Sequence, residues 1–121
     1  IFLDEPTSGL DSAIALEVMQ SVKGLVEAGN RTVVATIHQP SQDTFDLFDN
    51  LLLLADGRVI YSGSSKKAAR YFQDLGYIYD EVSNPADFVV EVAGGNKVCV
   101  PLGVGSSSGE QTKTTKELST L

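Results

Sequence analysis

The chain has no tryptophan, one cysteine and one methionine in 121 residues. A lone cysteine, Cys99, cannot close an internal disulfide, so no such staple holds the fold, and its solitary thiol suits a reducing compartment. Long apolar runs are missing too. The longest, Leu51 to Ala55, falls far short of the ~20 residues that a membrane-spanning helix needs. Basic residues are scarce: nine Lys and Arg stand against sixteen Asp and Glu, a net charge of −7. That balance lacks the clustered cations of a nucleic-acid footprint, and no nucleic-acid partner is expected. Ile1 is preceded by no initiator methionine and followed by no signal-peptide pattern, so the chain is expected to begin inside a longer one.

What is present is hydrophobic pattern over residues 1–94, followed by a segment rich in Gly, Ser, Thr, Lys and Glu. A boundary is expected at Gly94-Gly95, with residues 95–121 a flexible polar linker that has too few apolar side chains to offset ordering entropy. Ile1-Phe2-Leu3 is an apolar run stopped by Pro6, the end of a buried strand. From Ala13 to Ala28, Ile14, Val18, Val22 and Leu25 form a helical stripe, with Asp11 or Ser12 as cap and Gly29 as stop. Thr32 to Ile37 is β-branched with almost no alternation, as parallel strands are. Strand, crossover helix and strand make a βαβ unit.

Ser41 can then cap a short helix carrying Phe45 and Phe48. Leu51 to Ala55, Asp56-Gly57 and Arg58 to Ser62 predict a hairpin, since Asp-Gly supplies the positive φ angles of a two-residue turn. A helix beginning at Ser64 or Ser65 aligns Ala68, Phe72 and Leu75 and ends at Gly76. Asn84 as cap and Pro85 in the first turn predict a last helix over Pro85 to Ala93. The fold class is therefore α/β.

Asp4-Glu5 closes the first strand, and ligands of parallel α/β sheets bind outside the carboxyl ends of strands. One carboxylate could hold Mg²⁺ with its waters, and the other could orient a water for in-line attack on a phosphoryl group. An Asp-Glu pair of this kind also serves simply to solvate a strand end. His38, the only histidine, closes the second strand, where its imidazole could donate to a phosphate oxygen or sit as an ordinary boundary residue. A His, Asp and Glu metal site is a further option, but it lacks a second histidine or thiolate at ligand spacing. Lys66, Lys67 and Arg70 read as a solvated helix face, and Tyr61, Tyr71, Tyr77 and Tyr79 with Phe72 as packing.

The run Ile1-Phe2-Leu3-Asp4-Glu5-Pro6-Thr7-Ser8-Gly9-Leu10-Asp11-Ser12 resembles the Walker B motif and D-loop of the ATP-binding cassette (ABC) ATPases, and His38 resembles their switch histidine. Thr36-Ile37-His38-Gln39-Pro40-Ser41 and Asn84-Pro85-Ala86-Asp87-Phe88 are similar to the G subfamily, the half-size or pleiotropic-drug-resistance type. The resemblance implies a partial P-loop NTPase (RecA-like) fold over residues 1–94, the carboxy-terminal half of a nucleotide-binding domain. It implies that Asp4 holds Mg²⁺ through water, that Glu5 is the catalytic base, that His38 contacts the γ-phosphate of ATP and that Gln39 is among the nucleotide-binding residues. Ser8, Gly9 and Asp11 would form the D-loop at the interface with a second nucleotide-binding domain. A membrane domain linked in the same chain would place the protein at the cytoplasmic face of a membrane, moving lipids, drugs or other hydrophobic compounds.

The pattern departs from the family in places. No G-x-x-x-x-G-K-[ST] phosphate loop, glutamine loop or LSGGQ-type signature occurs, and Gly76-Tyr77 is followed by Ile78-Tyr79-Asp80-Glu81 where the family often has Cys-Pro. These 121 residues alone are expected to bind nucleotide weakly or not at all and to expose apolar surface. Two alternatives stand beside the transporter ATPase: a non-catalytic cassette that acts by pairing, and a soluble ABC ATPase.

Overall fold

A proline cannot donate to a strand ladder, and Pro6 accordingly leaves the first strand short: β1 spans Phe2–Asp4. In the computed structural model, residues 1–80 and 83–95 are described. They fall into two compact units, one covering Ile1–Phe48 and the other beginning at Asp49, a division that no composition shift marks in the sequence. The expected linker beyond Gly95, including Cys99, lies outside the described residues.

The first unit is the expected βαβ arrangement. Helix α1 (Ser12–Gly29) follows β1, and strand β2 (Val34–Thr36) returns parallel to it, with Phe2 opposite Val34, Leu3 opposite Ala35 and Asp4 opposite Thr36. Of the two candidate caps, Asp11 is the one used: its Oδ1 accepts the Ile14 N–H at 2.9 Å. The helix stops one residue later than expected, at Asn30, whose φ of 46° is left-handed and whose N–H donates to the Val26 carbonyl. Helix α2 (Gln42–Phe45) is capped by Ser41, and the rings of Phe45 and Phe48 meet edge-on at 5.9 Å.

The apolar stripe of α1 is less covered than its spacing predicts. Only Met19 is buried on this helix, and Ile14 and Leu25 are exposed. An 18-residue helix is about 27 Å long, and two three-residue strands offer too little surface to sheathe it. The sheet fares no better: Phe2 is 87% exposed and Val34 54%, although parallel strands are normally covered on both faces.

The second unit closes a core of its own. Strands β3 (Asn50–Ala55) and β4 (Arg58–Ser64) form the expected hairpin, and Asp56 (φ 49°) and Gly57 (φ 74°) take the paired positive φ angles of a two-residue turn. An unforeseen bulge makes Leu53 face Tyr61 while Leu54 faces Val59, leaving Ile60 as the extra residue. A short 3₁₀ turn (Ser65–Lys67) leads into α3 (Ala68–Asp74). Gly76, with φ 104°, then lets the Tyr77 N–H return to the Phe72 carbonyl at 3.0 Å. Helix α4 covers Pro85–Ala93 as expected, with Asn84 Oδ1 accepting the Asp87 N–H at 2.9 Å.

Tyr61, Ala68, Phe72, Tyr77, Phe88, Val89 and Val92 form this core, with Leu51, Leu53 and Ile60 packed against it. Phe72 and Tyr77 meet edge-on, and Tyr79 lies 4.7 Å from Phe88 between ring centres. One expected member is missing: Leu75 is exposed, because α3 ends at Asp74 and the chain turns away before a further turn can carry it inward. Tyr71 is likewise exposed. Among the described residues no helix is long and apolar enough to cross a membrane.

Candidate functional site

Parallel strands end side by side, so the carboxyl ends of β1 and β2 bring together residues more than thirty positions apart. At that edge Asp4 pairs with Thr36 in the ladder, and the two side chains meet. The Thr36 hydroxyl donates to Asp4 Oδ1 at 2.7 Å and accepts the Glu5 N–H at 2.8 Å. The Glu5 N–H is shared with the Thr36 carbonyl at 3.1 Å. These bonds hold Glu5 at a φ of 45°, a left-handed conformation that costs a non-glycine residue roughly 1–2 kcal/mol. Strain of this kind gathers where a side chain must be aimed. Here it turns the chain sharply after Asp4, and both carboxylates remain exposed.

The turn that follows is closed by Ser8 N–H to the Glu5 carbonyl at 3.1 Å and Leu10 N–H to the Thr7 carbonyl at 3.2 Å, with Gly9 left-handed at φ 75°. Ser8 and Gly9 are thus exposed turn residues. The carboxylate of Asp11 caps α1. At the end of β2, Gln39 is also left-handed, at φ 47°. A cleft of about 170 Å³ opens there, lined by His38, Gln39 and Ser41 from one segment and Thr7, Leu10 and Ser12 from the other. Asp4, Glu5, Ser8, Gly9 and Asp11 are not in its lining. The expected site residues therefore form two neighbouring sets along one chain segment pair: the carboxylate edge tied by Thr36, and the cleft that holds His38 and Gln39.

Thr36 is the residue that sequence reasoning missed. A threonine in a β-branched run reads as a strand former, yet the parallel register puts its hydroxyl directly across from Asp4. Among the described residues no three His, Cys, Asp or Glu side chains cluster at metal-binding distance. A divalent ion at Asp4 would draw the rest of its shell from water and a bound phosphate, as Mg²⁺ commonly does. In the second unit, Lys66 and Lys67 are exposed, and Arg70 pairs with Asp74 at 2.9 Å across open solvent, a solvated face as expected.

A family model described as "ABC-2 type transporter" matches residues 38–108, more than half of the chain. The chain is 57% identical over 97 residues to ABC transporter G family member 3 of Dictyostelium discoideum, covering 77% of this chain and 7% of that protein. It is 43% identical over 114 residues to the broad substrate specificity ATP-binding cassette transporter ABCG2 of Rattus norvegicus, covering 94% of this chain and 17% of that protein. With protein scarlet of Drosophila melanogaster the identity is 47% over 92 residues, 76% of this chain and 14% of the relative. The chain thus spans less than a fifth of the length of these relatives. It belongs to the ABC-2 type transporter family and, by these relatives, to the G subfamily of ATP-binding cassette transporters.

Proposed function

We propose that this chain supplies the carboxy-terminal half of a nucleotide-binding domain, part of a P-loop NTPase fold, in a G-type ABC transporter that couples ATP hydrolysis to export of hydrophobic compounds. One observation carries the reading: Asp4, Glu5 and His38 stand at the carboxyl ends of two adjacent parallel strands, where such sheets bind ligands. The donor set suits Mg·ATP, because one strand-end carboxylate is what a largely hydrated Mg²⁺ takes from a protein. Bound there through water, Mg²⁺ would neutralise charge on the phosphates.

The chain's own groups would act in named roles. Glu5, exposed beyond the strand end, orients the attacking water and takes its proton. The water oxygen bonds to the γ-phosphorus as the bond to the ADP oxygen breaks. His38, in the cleft beside Gln39, donates a ring N–H to a γ-phosphate oxygen. Ser8 and Gly9, in an exposed turn, and Asp11, at the exposed cap of α1 just beyond it, would meet a second nucleotide-binding domain. Covalent linkage to a membrane domain is supported by relatives named as transporters, and those names also favour transport over a soluble ATPase; this part would then stand at the cytoplasmic face of the membrane.

The test is Glu5→Gln in the full-length transporter. Loss of a general base lowers turnover by about 10²–10⁴-fold, while ATP binding is retained because size and hydrogen bonding persist. Turnover equal to wild type would remove Glu5 from the role of base.

A further inference from the structure

Thr36 sits at the last position of β2, opposite the last residue of β1, and a hydroxyl offers one donor and two acceptor sites. Its donor goes to Asp4 Oδ1 and one acceptor site to the Glu5 N–H. One side chain therefore ties together two neighbouring residues with different chemical tasks. The β-branch stiffens its χ1 torsion, so the hydroxyl is held ready rather than recruited. Among the described residues Asp4 Oδ2 makes no hydrogen bond, which leaves one carboxylate oxygen pinned and the other available.

We propose that Thr36 is a positioning residue of the hydrolytic site, its hydroxyl setting the Asp4 carboxylate for a hydrated Mg²⁺ and fixing the strained turn that aims Glu5 at the attacking water. This rests on the ATP-hydrolysis reading above. The hydroxyl acts through the two acids, to which its bonds run. Removing it leaves the Glu5 N–H only its longer bond to the Thr36 carbonyl and releases Asp4 Oδ1. Both effects loosen geometry without changing any charge.

The experiment compares Thr36→Val, Thr36→Ser and Glu5→Gln in the full-length transporter. Two readouts are taken: the Mg²⁺ concentration giving half-maximal ATPase activity, and ATP affinity with Mg²⁺ or with EDTA, measured in the Glu5→Gln background to suppress turnover. Partners that orient a metal ligand typically contribute about 10–100-fold in metal affinity or activity. Thr36→Val, equal in shape, is expected to lose about tenfold or more in Mg²⁺-dependent ATP affinity and in turnover, with affinity in EDTA unchanged. Thr36→Ser, which keeps both bonds, is expected to stay near wild type. Thr36 is exposed, so neither variant leaves a cavity, and melting temperatures check that both fold. If Thr36→Val matches wild type while Glu5→Gln stops turnover, the positioning role is wrong and the ATPase reading survives. A Ser variant as impaired as the Val variant also overturns it, by showing that shape rather than the hydroxyl matters. If Glu5→Gln turns over normally, the reading beneath the inference fails.

Discussion

The two units of this chain differ in where they keep their apolar side chains. From Asp49 onward, Phe88 and Val92 are fully buried, and a hairpin, two helices and four aromatic rings close around them. Between Ile1 and Phe48, burial reaches only Met19, Thr44 and Phe45, and Phe2 stands 87% exposed on a two-stranded parallel sheet. Every candidate site residue lies in the open unit, Ile1–Phe48. Burial and candidate chemistry thus fall in different units: one carries its own core, while the other carries the candidate site residues on a sheet patterned for cover it does not itself provide.

The sharpest way to break that contrast is to make the same substitution in both units and follow denaturation by urea. Phe88→Ala removes a ring from a filled core and is expected to cost about 3–5 kcal/mol, enough to abolish cooperative unfolding of its unit. Phe2→Ala removes an exposed ring and is expected to stay within about 0.5 kcal/mol. Equal costs would mean that the sheet is covered after all. Next in size are the caps. Asn84→Ala and Asp11→Ala should each cost about 1 kcal/mol of helix stability, read by circular dichroism. Asp11→Asn should cost almost nothing, since asparagine caps as well as aspartate. That variant separates Asp11's capping from any D-loop role of its charge, which would show as reduced ATPase activity in the full-length transporter with α1 intact.

The caps and turns were legible because their causes are local. Asn84 followed by Pro85, Asp56-Gly57, Ser41 and Asp11 each act within four residues, and each appears where the sequence places it. The βαβ unit was legible from the β-branched run at Thr32 to Ile37. What escaped depends on partners far along the chain. Thr36 gains its part only when the register sets it across from Asp4, 32 positions away. The left-handed turns at Glu5 and Gln39 contradict their residue types, as strained sites do, and no local pattern announces them. Leu75 and the α1 stripe had the right spacing but insufficient structure to cover them, since periodicity states what a helix offers and not what meets it. The bulge at Ile60 likewise belongs to the pairing of two strands rather than to either one.

Residue-resolved amide hydrogen exchange on residues 1–121 tests the division most directly. Strong protection is expected in β3, β4, α3 and α4, and exchange faster by orders of magnitude in β1 and β2, because the free energy of local opening rises with buried apolar contact. Equal protection of β1 and β2 with α4 would contradict it, showing that the strand edge bearing Asp4, Glu5 and Thr36 is held by a core of its own.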